Sequence, residues 1–141
     1  MTTYLDTSLV VAALTNERRT RDVLLWLGKQ PRGSLCVSEW VVSEFSAALS
    51  MKQRVGTLNS PSRAATLQIF REFVSSGVEV LAVGSSHFQA AALFADQYSL
   101  GLRAADALHL AIASDRAVTL HTLDERLARA GLAVGVRTVL L

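Results

Sequence analysis

The segment Thr2-Thr3-Tyr4-Leu5-Asp6-Thr7-Ser8-Leu9-Val10-Val11-Ala12-Ala13-Leu14 decides how the chain is read. Thr2 to Leu5 is a short strand, and Ser8 to Leu14 is a short helix with Thr7 or Ser8 as a plausible cap. Between them stands Asp6, a carboxylate at the end of a core element. The same alternation continues down the sequence. Helix Glu17 to Lys29 ends at Gln30-Pro31-Arg32-Gly33, and Ser34 to Val37 is a second strand. Ser38 caps a long helix to about Arg54. Ser60-Pro61-Ser62 opens another helix, reaching about Ser75, with proline near its favoured first turn. Strand Val78 to Ala82, helices Ser85 to Tyr98 and Ala104 to Asp115, strand Val118 to His121, helix Leu123 to Ala130 and strand Val134 to Leu140 complete the series. Short apolar strands separated by helices predict an α/β fold, a three-layer sandwich around a mostly parallel sheet of about five strands. Two consecutive helices without a strand between them, around residues 38–75, predict a hairpin projecting from the sheet.

The chain has 141 residues, half of them hydrophobic, which fits one domain over residues 1–141 with a sizeable core. Charged residues are 18%, too few and too balanced for a disordered chain. No apolar run approaches the roughly 18 residues of a membrane span. The first residues lack the basic and apolar regions of a signal peptide. Cys36 is the only cysteine, excludes an internal disulfide and reads as core packing. A reducing, cytoplasmic location is expected. The net charge is +2, with twelve arginines against two lysines. Arginine suits phosphate recognition, but so mild a charge does not by itself establish RNA binding.

Four acidic residues stand where the local pattern disfavours them: Asp6, Glu44, Asp106 and Asp124. Asp6 and Asp124 follow strands, in the crevice where open parallel sheets bind ligands. Glu44 lies inside the stripe Val41, Phe45, Ala48, Leu49 and Lys52. Asp106 opens the apolar run Ala107-Leu108-His109-Leu110-Ala111-Ile112-Ala113. Each also has a plain structural reading. Asp6 and Asp124 can cap helices, Asp106 can complement a helix dipole by about 0.3–1 kcal/mol, and Glu44 can reach water from a packed stem. His109 reads first as a satisfied core histidine, and otherwise as a supporting contact to the site. If the carboxylates converge, one pair at 4 Å costs about 4 kcal/mol at an effective dielectric near 20. A cluster of that kind takes up protons or binds a cation. All-oxygen donors select a hard ion, Mg²⁺ or Mn²⁺, and the absence of Cys pairs or His-x-x-x-His spacing disfavours zinc.

Tyr4-Leu5-Asp6-Thr7-Ser8 resembles the opening motif of PIN-domain ribonucleases. Val42-Ser43-Glu44-Phe45-Ser46-Ala47-Ala48-Leu49 is similar to that family's glutamate helix. Arg103 to Ala113 is similar to its most recognisable segment, and Thr122-Leu123-Asp124 resembles its final acidic motif. The order, spacing and length resemble those of the compact VapC-type toxins of toxin–antitoxin pairs. The resemblance implies an Mg²⁺- or Mn²⁺-dependent endoribonuclease, a homodimer inhibited by a small cognate antitoxin. It carries over Asp6 and Asp106 as principal metal ligands. Glu44 and Asp124 complete a catalytic acidic pocket, and Thr122 is a supporting hydroxyl. Arg103, Arg126 and Arg129 are candidates for phosphate contacts, or a solvated helix face. The apolar faces carrying Leu24, Trp26, Leu27, Ile69 and Phe73 are candidates for the antitoxin surface.

Two other classes remain. The strand-end Asp6 permits an aspartyl-phosphate phosphotransferase, although such enzymes usually carry a second aspartate two residues on, where this chain has Ser8. A non-catalytic dimeric interaction module fits the apolar composition but leaves the four carboxylates unexplained.

Overall fold

Tyr4 and Leu5 are almost completely buried because their strand, Thr3–Leu5 (β1), is central to a sheet with neighbours on both edges. The computed structural model describes residues 2–141. The other strands are Leu35–Ser38 (β2), Glu79–Leu81 (β3), Thr119–Thr122 (β4) and Thr138–Leu140 (β5). Their order across the sheet is β3-β2-β1-β4-β5, and every neighbouring pair is parallel. Tyr4 is in register with Cys36 on one side and Leu120 on the other. The helices are Thr7–Leu14 (α1), Thr20–Leu27 (α2), Glu39–Arg54 (α3), Ser60–Ser75 (α4), Ser85–Ala95 (α5), Ala104–Asp115 (α6) and Glu125–Ala133 (α7).

Chain direction sets the layers. From β1 to β2 to β3 the chain steps one way across the sheet; from β3 to β4 to β5 it steps the other way. Right-handed crossovers therefore put α1 to α4 on one face and α5 to α7 on the other. The packing agrees: α1 contacts α2, α3 and α4, whereas α5 packs along α6. The direction reverses between β1 and β4, so the crevice at their carboxyl ends is the switch point where such sheets take ligands.

Helix α6 is the buried spine of its layer, with Ala107 through Ala113 all buried. Helices α3 and α4 form the expected hairpin, closed by Phe45 stacked on Phe70 with ring centroids 4.4 Å apart. Cys36 is fully buried in β2, its thiol pushed up to about 12 chiefly by burial, which is the behaviour of a core residue.

The predicted elements all occur; their ends differ for identifiable reasons. Helix α2 begins at Thr20 rather than Glu17. The Thr20 hydroxyl accepts the Glu17 N–H at 2.8 Å and donates to the Ala12 carbonyl at 2.6 Å, holding residues 15–19 as a turn. Helix α5 stops at Ala95, and Tyr98–Leu100 is a separate single 3-10 turn ended by Gly101 at φ 62°. Helix α7 starts after Asp124 and continues to Ala133, where Gly135, at φ 82°, turns the chain. That turn uses residues expected in the last strand, so β5 spans only Thr138–Leu140.

Gly131, buried in α7, lies hard against β5. A Cβ there would sit 2.2 Å from Thr138 Cγ2 and 3.0 Å from Leu110 Cδ2. Thr138 cannot swing away freely, because its hydroxyl donates to the Ala128 carbonyl at 2.6 Å. Overpacking costs about 1–3 kcal/mol, against the roughly 1 kcal/mol that alanine gains over glycine in a helix. Gly131→Ala is therefore expected to lower the urea midpoint. A raised midpoint would show that β5 yields to α7.

Candidate active site

Each strand-end aspartate divides its two oxygens between two tasks. Asp6 caps α1: its Oδ1 accepts the Leu9 N–H at 3.1 Å and the Ser8 hydroxyl at 2.6 Å. Its Oδ2 accepts the Thr122 hydroxyl at 2.6 Å. Asp124 caps α7: its Oδ1 accepts the Arg126 and Leu127 N–H groups at 2.8 and 3.1 Å. Its Oδ2 lies 3.6 Å from Arg103 Nη2. The capping role and the site role are thus not rivals. Capping through one oxygen fixes the direction of the other.

Thr122 joins the two aspartates. It ends β4, is fully buried, donates to Asp6 and accepts the Asp124 N–H at 2.9 Å. Ser8 ties the same loops, accepting the Leu123 N–H at 3.1 Å while donating to Asp6. Asp6 is only 4% exposed. Burial raises its pKa above the ordinary range, opposed by the nearby His109 and by its three hydrogen bonds.

Glu44 enters from α3. Its Oε1 accepts the Thr7 hydroxyl at 2.6 Å and His109 Nε2 at 2.5 Å. Among the described residues Oε2 takes no hydrogen bond. Burial pushes the Glu44 pKa up, but the hydrogen bond and charge of His109 and the Thr7 bond outweigh it, and the net shift is downward. Asp106 lies in the first turn of α6, its side chain 13% exposed, with Oδ2 3.2 Å from Arg103 Nε. Its Oδ1 is likewise free of hydrogen bonds among the described residues. Arg103 thus bridges Asp106 and Asp124, and the charge of Glu44 also acts on it.

Strand β1, helix α3, helix α6 and the start of α7 therefore deliver Asp6, Glu44, Asp106 and Asp124 to one end of the sheet. They do not close into a coordination shell: among the described residues, no group of three His, Cys, Asp or Glu side chains stands ready to hold a metal ion. The repulsion expected of a tight cluster is relieved here by hydroxyl donors and by one guanidinium. The donor chemistry still suits a hard divalent ion. All donors are oxygens, both ring nitrogens of His109 are engaged, and Glu44 Oε2 and Asp106 Oδ1 are unclaimed.

Beside Glu44 opens a groove of about 570 Å³ lined by Thr7, Glu44, Ala47, Ala48, Ser50, Met51 and Arg54. Arg126 and Arg129 are exposed on α7, as a solvated face requires. Sequence reasoning missed Tyr4 and Ser38 as supports of the site. The available signal was a tyrosine in an interior strand, whose buried hydroxyl needs a partner.

The family model of the PIN domain matches residues 3–132. The chain belongs to the PIN-domain family. Solved structures agree on the PIN fold. Mycobacterium tuberculosis VapC20, described as a sarcin-ricin-loop-cleaving toxin, superposes with a TM-score of 0.73 at 20% identity, covering 99% of this chain and 100% of that one. VapBC2 from Rickettsia felis, bound to a promoter DNA fragment, gives 0.70 at 16% identity, covering 100% and 99%. FitAcB from Neisseria gonorrhoeae gives 0.70 at 19% identity, covering 96% and 95%. No curated protein sequence matches the chain significantly. Among the described residues, no helix of this PIN domain is long and apolar enough to cross a membrane.

Proposed function

We propose that this PIN domain is a metal-dependent endoribonuclease, the toxin of a toxin–antitoxin pair, that hydrolyses RNA phosphodiester bonds. The observation that carries the reading is the delivery of four carboxylates from four separate elements to the switch-point end of a parallel sheet. Asp6 and Asp106 would hold Mg²⁺ or Mn²⁺, with Glu44 and Asp124 completing the pocket directly or through water. The bound ion supplies a water of lowered pKa and neutralises charge on phosphate oxygens. Thr122 and Ser8 hold the Asp6 carboxylate in place, and Thr7 holds Glu44 at the mouth of the groove. The groove past Ala47 and Ala48 to Arg54 gives the RNA strand a path away from the acidic pocket.

The solved relatives support the partner assignments. A further structure of this fold, from Klebsiella pneumoniae, is a toxin–antitoxin complex, and a small cognate antitoxin and a second copy of the chain are the partners proposed here. Leu24 and Ile69 are 48% and 46% exposed, which suits an antitoxin surface, whereas Trp26, Leu27 and Phe73 pack partly against the core. Cytoplasmic residence accompanies this reading.

Incubating the purified protein with total RNA, with and without Mg²⁺ or Mn²⁺, tests the proposal directly. Cuts that require the ion are expected, and intact RNA under every metal condition would remove the assignment. Arg103 adds a second check. Its positive charge is paired with Asp106 and Asp124 and so competes with a bound cation for the same two carboxylates. Arg103→Gln is expected to tighten Mn²⁺ binding several-fold by isothermal titration calorimetry. Weaker binding would mean that Arg103 organises the pocket rather than competing for it.

A further inference from the structure

Beneath the acidic pocket runs a buried polar chain that none of the roles above requires. Glu44 Oε1 meets His109 Nε2; His109 Nδ1 lies 2.8 Å from the Tyr4 hydroxyl; that hydroxyl lies 2.8 Å from Ser38 Oγ. Ser38 caps α3 by accepting the Val41 N–H at 3.3 Å. Tyr4, Ser38 and His109 are at most 3% exposed. A carboxylate only accepts, so Nε2 carries the proton and donates to Glu44. Nδ1 and the Tyr4 hydroxyl share the next hydrogen bond, and the Tyr4 and Ser38 hydroxyls share the last. Every donor in the chain has an acceptor, as burial demands.

Four elements meet in this chain: β1 through Tyr4, β2 through Ser38 at the cap of α3, α3 through Glu44, and α6 through His109. The same elements lead to Asp6, two residues after Tyr4, and carry Asp106, three residues before His109. We propose that His109, oriented by Tyr4, is the positioning residue for Glu44. It binds Oε1, together with Thr7, so that Oε2 stays free to serve the divalent ion or its water. This proposal rests on the metal-dependent nuclease reading. His109 does not touch substrate or ion; it acts through Glu44, as partners behind a ligand typically do, with effects of about 10–100-fold on metal affinity or activity.

The test uses the full-length protein and four variants: His109→Leu, His109→Gln, Glu44→Gln and the double variant Glu44→Gln/His109→Leu. Mn²⁺ dissociation constants are read by electron paramagnetic resonance, with thermal melting run alongside. His109→Leu is expected to weaken Mn²⁺ binding about tenfold. His109→Gln, which keeps a donor within reach of Glu44, is expected to recover most of that loss. In the Glu44→Gln background, His109→Leu is expected to add almost nothing, since the two residues act as one unit. A merely structural role for His109 predicts the opposite: the same loss with or without the Glu44 carboxylate, tracking the melting temperature. Additive losses, or unchanged Mn²⁺ binding in His109→Leu, overturn the proposal while RNA cleavage by the wild type leaves the nuclease reading intact. Failure of the wild type to bind Mn²⁺ overturns both.

Discussion

Asp6→Asn is expected to abolish RNA cleavage, by about a thousand-fold or more, while making the metal-free protein harder to unfold at neutral pH. A thousand-fold corresponds to about 4 kcal/mol of barrier, within reach of losing a principal ligand to a catalytic ion. The stability gain has a separate cause. Burial raises the Asp6 pKa, so the folded state disfavours the charged form relative to the unfolded chain, where the carboxyl ionises near about 3.9. Below that value the group is protonated in both states and contributes no difference. As the pH rises through the folded-state pKa the penalty develops in full, so wild-type stability falls relative to the variant. Asparagine keeps the geometry: its Oδ1 can still accept from Ser8 and Leu9, and its amide can donate to Thr122 in place of the reverse bond. Urea midpoints in the presence of a chelator should therefore converge near pH 4 and separate toward pH 7, with the variant higher. Added Mn²⁺ should raise the wild type alone, by mass action on the folded state. A variant less stable than wild type across the whole range would mean that the Asp6 charge supports the fold rather than opposing it.

Such a trade of stability for charge is what made the four acidic positions legible in the sequence. Asp6, Glu44, Asp106 and Asp124 each break a local pattern, and locally strong patterns survive translation into three dimensions. The strands were legible for the same reason: Tyr4-Leu5, Cys36-Val37 and Leu120 belong to runs long enough to identify and short enough to exclude helix. Ends were less so. Thr20 sets the start of α2 by bonding to Ala12, eight residues away, and the local pattern around Glu17 does not carry that fact. The supports of the site were least legible. Glu44 and His109 are 65 residues apart in sequence, and Tyr4 and His109 are 105 apart. Nothing near Tyr4 distinguishes a tyrosine that orients a histidine from one that only fills the core. Arg103 reads locally as an exposed residue before a helix, and only the meeting of α6 with α7 makes it the bridge between Asp106 and Asp124.

Phe45→Ala is expected to remove about 3–5 kcal/mol of stability, a large share of the roughly 5–15 kcal/mol that holds a domain together. Phe45 is fully buried on α3, and its ring stacks on Phe70 of α4 with an interplanar angle of 16°. Truncation loses the buried area, the aromatic pair worth about 0.5–1.5 kcal/mol, and the contact that closes the α3–α4 hairpin. Neighbouring Val41 and Leu49 are also fully buried on the same helix, so collapse into the cavity is restricted and the loss should fall toward the high end. Phe45→Leu, which keeps most of the volume, should lose much less. The pair Phe45→Ala and Phe70→Ala should be non-additive, because either substitution alone destroys the stack. Chemical denaturation of the singles and the double measures this. The consequence reaches the site, since Phe45 adjoins Glu44 and fixes the face of α3 that presents it to Thr7 and His109. Phe45→Ala should therefore also weaken Mn²⁺ binding at temperatures where the variant remains folded, and Phe45→Leu should restore it. Full additivity with Phe70→Ala, or a loss below about 1 kcal/mol, would mean that α4 is held to the domain by other contacts and that Glu44 is positioned without it.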